Sequence, residues 1–463
     1  MTNDKLGNLA GLTPEQIGKG LKISIIEGAF ATLYTTLAGG MFLAGLALYL
    51  GANSFQIALL SAIPALFSGF SFLAGYLIRR TGERKTLVLW TAGLGRTVYI
   101  IIVLFLLLNI KLQVVVFLII VAGSAVMMAI AGTIWTSWIS DLVPEERRGR
   151  FFGLRNAILN VTGVLVAYGA GRGMDFLKLN GLERFGYALA FFLAVAFGLI
   201  STLLLTRQPD VAIPSRPEPG IKEIFLGPLQ ETQFRRLTIF LAVWFLTGTL
   251  ASPFYLVHLI KNLHFSFAAI GIYSMIGGVL GVLFQLLWGR TIDRFGSRPV
   301  TVLNFALVGF MPLLWLFATP SFRIPIWIDA VLNGVIWTGA SLGLWNLLLD
   351  LADNPARKES YFAIYSVVPG LGAFIASLAA GAVAQMLAGF HTIILGADFY
   401  NYDVMFLLAG VARFACLPLL LKVKEPKSKP VRHTIRVIAT LTLWRLNAGK
   451  DVILQALGIK SQD

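Results

Sequence analysis

The sequence predicts an all-α integral membrane protein with twelve transmembrane helices in two pseudo-symmetric six-helix bundles and both termini in the cytoplasm. Three observations predict this fold: an apolar composition, twelve long apolar segments and a basic turn that occurs twice. Hydrophobic residues make up 57% of the 463 residues and charged residues only 13%, and the mean hydropathy is +0.78. A soluble globule needs more polar surface than this. Inside a bilayer, backbone amides must pair within each segment, so long apolar runs select helices.

Twelve apolar segments are long enough to cross a hydrocarbon core of roughly 30 Å at about 1.5 Å per residue. The first six are predicted at Ile25–Leu50, Gln56–Ile78, Leu87–Leu108, Leu112–Ile139, Phe151–Gly171 and Phe185–Thr206. The second six are predicted at Leu237–Leu259, Phe267–Trp288, Val300–Ala318, Ile324–Leu349, Tyr361–Leu387 and Val404–Leu421. The chain therefore divides into a cytoplasmic N-terminal segment (1–24), a six-helix bundle (25–206), a cytoplasmic linker (207–236), a second bundle (237–421) and a basic amphipathic cytoplasmic tail (422–463).

The positive charges give the orientation. Of the 38 Lys and Arg residues, most fall in the loops on the side that holds both termini. Loops that stay in the cytoplasm keep their positive charge, so this side is predicted to be cytoplasmic. The opposite side carries only Lys111, Arg172, Lys178, Arg184, Lys261 and Arg323.

The same composition argues against several other classes of protein. The basic residues are spread over many short loops, so topology explains them better than nucleic-acid binding does. Cys416 is the one cysteine, which rules out an intramolecular disulfide framework. We expect no cleaved signal peptide. The sequence contains no HExxH, GxSxG or P-loop pattern and no histidine cluster, so neither an enzyme nor a cofactor or metal site is expected.

A basic turn between apolar segments occurs twice. The second copy reads Gly289-Arg-Thr-Ile-Asp293-Arg294-Phe-Gly296-Ser-Arg298, and the looser first copy reads Gly75-Tyr-Leu-Ile-Arg79-Arg80-Thr-Gly82-Glu-Arg84. Gly296 permits a tight reversal and Gly289 allows another helix to approach closely. Asp293 can face the positive end of a helix or a basic side chain. A weaker pair of matching loops, at Asp141 to Pro144 and Asp353 to Pro355, also indicates duplication.

These turns resemble the signature of the major facilitator superfamily, a glycine, an Asp-Arg pair, a turn glycine and basic residues. Gly289, Asp293, Arg294, Gly296 and Arg298 match it, whereas Arg79 stands where the first half would carry the acid. The resemblance extends from the first span to the twelfth and implies a transporter. By the family's symmetry, Asp293 would contact the fifth helix, which begins near Arg148 and Arg155, and hold the cytoplasmic side shut. The alternative is that these charges only fix topology and helix ends.

A substrate site in such a fold is expected near the membrane midplane, between the halves. Asp329, Asn333 and Trp337 follow one another at i, i+4 spacing and would form one ridge of a helix. The alternative for each candidate is packing between helices, which favours small and hydrogen-bonding side chains. The substrate-binding candidates are Asn160, Trp244, Tyr255, Gln285, Asp329, Asn333, Trp337 and Gln385.

Three charged residues are predicted to be embedded in the bilayer, where charge is costly and usually functional. Glu27 is predicted near the inner mouth and Arg96 and Arg413 deeper in the membrane. The two arginines could bind an anionic substrate, or neighbouring carbonyls and hydroxyls could satisfy them in a structural role.

The sequence thus predicts a secondary active transporter of a small organic solute that works by alternating access of its halves. A proton-driven carrier normally needs a titratable carboxylate in its pathway, and none is expected at the midplane. The resemblance implies a Gly-Pro motif in the fifth helix of the family's drug-proton antiporters, and Asn160 to Gly169 contains no proline. A proton-coupled drug or multidrug antiporter is therefore the alternative. A non-transporting membrane binding or assembly protein is the alternative of another class. The expected partners are a small-molecule substrate, a coupling ion and the lipid bilayer, with no nucleic acid, for a monomer in the plasma (inner) membrane.

Overall fold

The computed structural model describes residues 12–68, 71–144, 147–211, 227–352, 358–394, 397–425, 428–434 and 436. The helices of the first half are α1 (Pro14–Leu37), α2 (Gly40–Tyr49), α3 (Ser54–Ser68), α4 (Ser71–Thr81), α5 (Arg84–Thr97), α6 (Ile100–Leu107), α7 (Val114–Leu142), α8 (Arg148–Leu179) and α9 (Glu183–Thr206). Those of the second half are α10 (Thr232–Gly248), α11 (Tyr255–Lys261), α12 (Phe267–Phe295), α13 (Ser297–Trp315), α14 (Ile324–Leu332), α15 (Thr338–Leu351), α16 (Lys358–Met386) and α17 (Asn401–Leu421).

Within these described residues, 11 helices are long and apolar enough to cross a membrane. The predicted second span corresponds to α3 and α4, which lie on either side of residues 69–70. Those two residues fall outside the described part of the chain, so the count of twelve spans stays a prediction. The location of both termini in the cytoplasm also stays a prediction. Large apolar side chains such as Leu179, Leu286 and Met386 are exposed, as expected of a protein that is surrounded by lipid.

Helix α1 begins at Pro14, well before the predicted start at Ile25. Thr13 and Gln16 form a capping box, in which the Thr13 hydroxyl accepts from the Gln16 N–H at 3.3 Å and Gln16 Oε1 accepts from the Thr13 N–H at 2.8 Å. Pro14 occupies the first helical turn, where its missing N–H costs nothing. The predicted N-terminal segment therefore contributes helix from Pro14 onward.

Several spans of the described chain are interrupted. The first bends at Gly39 and Gly40, and Gly40 has a φ of 46° that favours glycine. The seventh breaks between α10 and α11, where Ser252–Phe254 forms a 3₁₀ turn. In the tenth, Asn333–Trp337 forms a π-helix between α14 and α15. A π-helix changes the residue spacing, so the i, i+4 ridge predicted from Asp329 through Trp337 does not continue as one α-helical face.

A small β-hairpin departs from the predicted all-α fold. Strands β1 (His391–Ile394) and β2 (Ala397–Tyr400) pair antiparallel, with His391 opposite Tyr400 and Ile394 opposite Ala397. His391 Nε2 and Asp398 Oδ1 lie 2.8 Å apart across the hairpin. The hairpin connects α16 to α17, and its strands are too short to be detected by a search for long apolar segments.

The two halves pack together mainly through two helix pairs, α3 with α16 and α8 with α12. We call the end of the molecule with the α2–α3, α8–α9 and α16–α17 connections the hairpin end, and the end with α1's start and α17's finish the termini end. One hydrophobic cluster at the hairpin end joins residues of both halves, such as Phe42, Tyr187, Phe254 and Phe267. Separate clusters fill the termini-end portions of the first and the second half.

Glycines permit the closest approaches between the halves. A Cβ on Gly171 of α8 would lie 2.7 Å from the backbone oxygen of Phe267, at the start of α12. A Cβ on Gly381 of α16 would lie 2.5 Å from Ala58 Cβ of α3. Backbones in contact at these positions exclude any larger side chain.

We predict that Gly171→Ala destabilises the protein by about 1–3 kcal/mol, because the added methyl must displace the backbone of α12. Gly169→Ala on the same helix is the matched control, since nothing lies within 4 Å of a Cβ there and alanine favours a helix by about 1 kcal/mol over glycine. Thermal unfolding of the purified variants in detergent measures both effects. Equal melting temperatures for the two variants would contradict the packing assigned to Gly171.

Candidate substrate cavity

A cavity of about 730 Å³, which we call the main cavity, is lined mainly by the first half. Its walls come from α1, α3 and α7, with Ser366 of α16 contributed by the second half. Its hydroxyl groups belong to Tyr34, Thr35, Tyr99, Ser124, Thr133, Thr136 and Ser366. The remaining lining is apolar, which is typical of a small-molecule site.

The wall hydroxyls are held in place by the backbone around them. Ser124 donates to the Gly95 carbonyl at 2.7 Å, and the Tyr34 and Ser124 oxygens lie 3.3 Å apart. Thr133 and Thr136 donate to the carbonyls of Ala129 and Gly132, one turn earlier in α7. Because these donors are used within the protein, the oxygens are left to act toward a ligand mainly as acceptors.

A second cavity of about 370 Å³ lies between the halves. Thr32, Thr36 and Asn160 line it from the first half, and Ser274 and Gly278 from α12 of the second. Asn160, one of the substrate-binding candidates, therefore lies in a cavity wall.

Polar contacts close the hairpin end between the halves. The Ser54 N–H donates to Gln385 Oε1 at 3.1 Å, and the hydroxyls of Ser54 and Tyr402 lie 3.4 Å apart. Asp175 at the end of α8 accepts the N–H groups of Phe267 at 2.8 Å and Ala268 at 2.9 Å. This carboxylate caps the positive N-terminus of α12 in the other half.

At the termini end, the described residues show no hydrogen bond or ion pair between the halves. Asp293 is exposed there and contacts no basic side chain of the described chain. Arg148, at the start of α8, donates to the Ser140 carbonyl at 3.1 Å within its own half. The predicted contact between Asp293 and the fifth span is thus not formed in this structure.

The first basic turn is fixed to its own half. Gly82 ends α4 with a φ of 70°, and the buried Arg84 donates to Asp141 Oδ2 at 2.6 Å and to the Val211 carbonyl at 3.0 Å. The segment after α9 crosses this turn, since Lys85 donates to the Gln208 carbonyl at 3.0 Å.

The second basic turn is fixed in a similar way by the segment after α17. Gly296 has a φ of 97°, and the Glu425 carboxylate accepts the N–H groups of Ser297 at 3.2 Å and Arg298 at 2.6 Å. Ser297 donates to Asp350 Oδ2 at 2.8 Å. Partial burial raises the pKa of Glu425 above its ordinary value, the two N–H groups lower it and nearby Asp350 raises it further.

In the structure, Asp350 rather than Asp353 is the residue of the second half that corresponds to Asp141 of the first. It is the second-last residue of α15, as Asp141 is of α7, and each contacts the basic turn of its half. Asp353 and Pro355, the residues matched from the sequence, lie outside the described part of the chain. The two halves differ slightly in the spacing between their loops and their basic turns, and this difference hid the correspondence of Asp141 with Asp350 in the sequence.

The embedded charges of the first half meet in one cluster. Arg96 contacts Glu27 Oε1 at 3.4 Å, and Arg155 lies 4.0 Å from Glu27 Oε2. Ser201 donates to the same carboxylate at 2.6 Å. Glu27 lies 13 residues after Pro14 in α1, at the depth of Arg96, rather than near the inner mouth. Arg155 lies within this core rather than at the surface turn.

The embedded charges of the second half are separate from one another. Arg413 donates to the carbonyls of Gly248 at 2.8 Å and Val308 at 3.2 Å, and its guanidinium lies 5.9 Å from the Trp244 ring centroid. Asp329 is 2% exposed and accepts from the Tyr273 hydroxyl at 2.6 Å.

The remaining substrate-binding candidates and basic-turn residues do not gather at one site. Trp244 is buried and packs on Phe305, whereas Tyr255 stacks on Phe406. Asn333 and Trp337 bound the π-helix, Gln285 is exposed on α12, and Gln385 belongs to the hairpin-end closure. The remaining turn residues lie at the termini end of their helices: Gly75, Arg79 and Arg80 on α4, and Gly289 and Arg294 on α12.

Several residues of the site escaped the sequence analysis. Ser54 and Asp175 carry the closure, and Tyr34, Ser124 and Thr133 line the main cavity. Hydroxyl residues are common in membrane helices and give no distinctive pattern. Asp175 had a usable signal, because a carboxylate near the C-terminal end of a helix is unfavourable unless it caps the N-terminus of another helix.

The family model described as Major Facilitator Superfamily matches this chain over residues 26–377 and 247–459. The chain belongs to the major facilitator superfamily. The family prediction made from the two basic turns is thereby confirmed, and with it the prediction of a multi-pass membrane transporter rather than an enzyme.

Named relatives agree with this assignment. A curated protein described as an ectoine/proline transporter ProP, from Corynebacterium glutamicum, is 24% identical over 266 residues. This match covers 51% of the chain and 49% of the relative, so the chain spans about half of that protein's length.

The fold resembles solved transporter structures. A point mutant of the nucleoside transporter NupG matches with a TM-score of 0.65 at 15% identity, covering 88% of this chain and 99% of that one. An inward-facing, unoccupied bacterial homologue of the human lysosomal transporter Spinster matches with a TM-score of 0.61 at 14% identity, covering 90% and 100%. At this identity the likeness concerns the fold alone.

We predict that Glu425→Ala destabilises the second half by about 0.5–2 kcal/mol, because two N–H groups at the start of α13 lose their acceptor. Lys424→Ala is the matched control, since its side chain is exposed and its backbone N–H, which donates to Gln233, is retained. Thermal unfolding of both variants measures the difference. An equal loss in the two variants would show that the Glu425 cap contributes nothing measurable.

Proposed function

We propose that this protein is a secondary active transporter that moves a small organic solute by alternating access of its two halves. The proposal is carried by the position of the two cavities relative to the contacts between the halves. Among the residues that the structure describes, polar contacts join the halves at the hairpin end and not at the termini end. Such a site is reached from one side of the membrane until the closed end opens and the other end closes.

The hairpin-end contacts are suited to opening and closing. Ser54 shares one hydrogen bond with Gln385, and Asp175 accepts two from the start of α12, all between the halves and beside an apolar cluster. A neutral bond of this kind contributes about 0.5–1.5 kcal/mol net, and a bond to the Asp175 carboxylate about 1.5–3 kcal/mol. Contacts of this size hold one state without making it permanent.

The basic turns are suited to moving with their own halves. Arg84 and Glu425 attach each turn to the segment after the sixth span of the same half. Each termini-end surface thus behaves as part of one rigid body, and Asp293 is left to contact the start of α8 when the halves approach. The charge distribution predicts that the termini end lies on the cytoplasmic side of the plasma membrane. With this orientation, the cavity faces the cytoplasm.

The cavity supports a substrate of modest size. About 730 Å³ is within the range of small-molecule sites, and its hydroxyl-bearing, otherwise apolar wall suits an organic solute. Ectoine and proline, the solutes named for the curated relative, are first candidates to test. No nucleotide-binding motif was found in the sequence, so a solute or ion gradient would drive transport.

We predict that cross-linking the hairpin end abolishes uptake. Ser54→Cys and Gln385→Cys are combined and joined with a short thiol-reactive cross-linker that a reductant releases; native Cys416 is buried and should not react. Uptake from a solute pool containing ectoine and proline is measured by mass spectrometry in proteoliposomes. Single-cysteine variants are the controls.

Cross-linked protein that transports as fast as the single-cysteine variants would contradict alternating access. Inert proteoliposomes across broad pools, with every variant folded, would instead favour the non-transporting binding protein.

We also predict that Asp293→Asn slows uptake about tenfold, because a charge-assisted contact worth about 1.5–3 kcal/mol would be lost when the termini end closes. Glu15→Gln is the control, an exposed acid near that end that pairs with Lys19 at 2.7 Å. Unchanged uptake by folded Asp293→Asn protein would remove the latch role.

A further inference from the structure

We infer that the Glu27–Arg96–Arg155 cluster forms an anion subsite that binds the carboxylate of an organic solute whose remainder occupies the main cavity. The inference rests on the proposed function and assigns it a substrate class. It comes from the charge balance, the unused hydrogen-bond donors and the cavity that adjoins the cluster.

The charge balance of the cluster is positive. Two guanidinium groups meet one carboxylate, and their side chains are 6% exposed for Arg96, 11% for Arg155 and 3% for Glu27. Glu27 is the acidic residue among the side chains that line this pocket. Excess positive charge in a membrane-embedded core is costly, and a bound monoanion would neutralise it.

Hydrogen-bond donors are also in excess. The Trp135 indole Nε1–H and the Arg96 Nε–H are buried and have no acceptor among the described residues. Arg155 makes two long contacts, 3.4 Å to the Ser24 carbonyl and 4.0 Å to Glu27, and stacks at 4.5 Å on the Trp135 ring. A guanidinium with five donors is therefore far from saturated, and a carboxylate matches its fork.

The space for the anion is present. A pocket of about 160 Å³ is lined by Glu27, Arg96, Trp135 and Arg155. Met128 and Gly132 of α7 line both this pocket and the 730 Å³ cavity. A solute in the main cavity can thus extend its charged group past these residues toward the guanidinium.

Gly28 makes the arrangement possible. A Cβ on Gly28 would lie 2.6 Å from an Arg155 terminal nitrogen, so the guanidinium reaches Glu27 only because α1 has no side chain there. This gives a variant that displaces Arg155 without removing any charge.

The test compares a carboxylate with its neutral analogue. Binding of benzoate and benzamide to the purified full-length protein in neutral detergent is measured by calorimetry and thermal shift. We expect benzoate to bind more tightly than benzamide, and Arg155→Gln to weaken benzoate binding by about 10- to 100-fold while leaving benzamide unchanged. Arg155→Lys, which keeps the charge but loses the fork, should fall between.

Two milder variants guard against misfolding of Arg155→Gln. Gly28→Ala should weaken benzoate binding by displacing the guanidinium, and Trp135→Phe should weaken it several-fold by removing one donor while keeping the stacked ring. Each variant's melting temperature without ligand is compared with that of the unmodified protein. If these folded variants bind benzoate as tightly as the unmodified protein does, the subsite is overturned.

Other outcomes also overturn the inference. Equal binding of benzoate and benzamide would show that no charge is recognised. An Arg155-dependent response to chloride or inorganic phosphate, without one to benzoate, would assign the pocket to inorganic anions. Uptake of uncharged solutes in place of carboxylates would overturn this inference and leave the transporter proposal intact. Proteoliposomes that transport nothing, although benzoate binding depends on Arg155, would contradict only the transporter proposal.

Discussion

The close approach of α8 to α12 and of α3 to α16 is the contact on which the arrangement of the two halves depends. Gly171 and Gly381 let these backbones meet, and the apolar cluster around Phe42 and Phe267 fills the space beside them. Helices in lipid gain little from apolar burial alone, so close packing and hydrogen bonds must hold them. Asp175 and Ser54 supply those bonds at the same end, and the cavities lie below this closure.

Pairing of embedded charge is a second constraint, and the two halves satisfy it differently. In the second half, backbone carbonyls of Gly248 and Val308 accept from Arg413. In the first half, Glu27 is shared between Arg96 and Arg155, and donors are left over beside a cavity. A buried ion pair is weak evidence for stability. An unbalanced one beside an accessible space is better evidence for a ligand.

The repeated turn has a similar construction in both halves although its acid is present in only one. Arg84 and Glu425 each tie a turn to the segment that follows the sixth span, so the duplication preserved a way to make each half rigid. Arg79 stands in place of the acid in the first turn, whereas Asp293 of the second turn is exposed and unpaired within the described chain, so the two turns are unequal. Halves that keep their own turns and meet mainly at one end suit the rocking motion that we propose.

The amino-acid sequence by itself determined the membrane class, the long helices and the family, because apolar runs and turn glycines are local signals that need no knowledge of neighbours. The early start of α1 was also readable, since Thr13, Pro14 and Gln16 form a local cap. The β-hairpin and the π-helix at Asn333 were not, because their signals are short. Only the tertiary structure decided that Glu27, Arg96 and Arg155 share one pocket and that Gln385 closes the hairpin end. Those contacts join residues on different helices, and distances between helices depend on packing that no periodicity along one segment encodes.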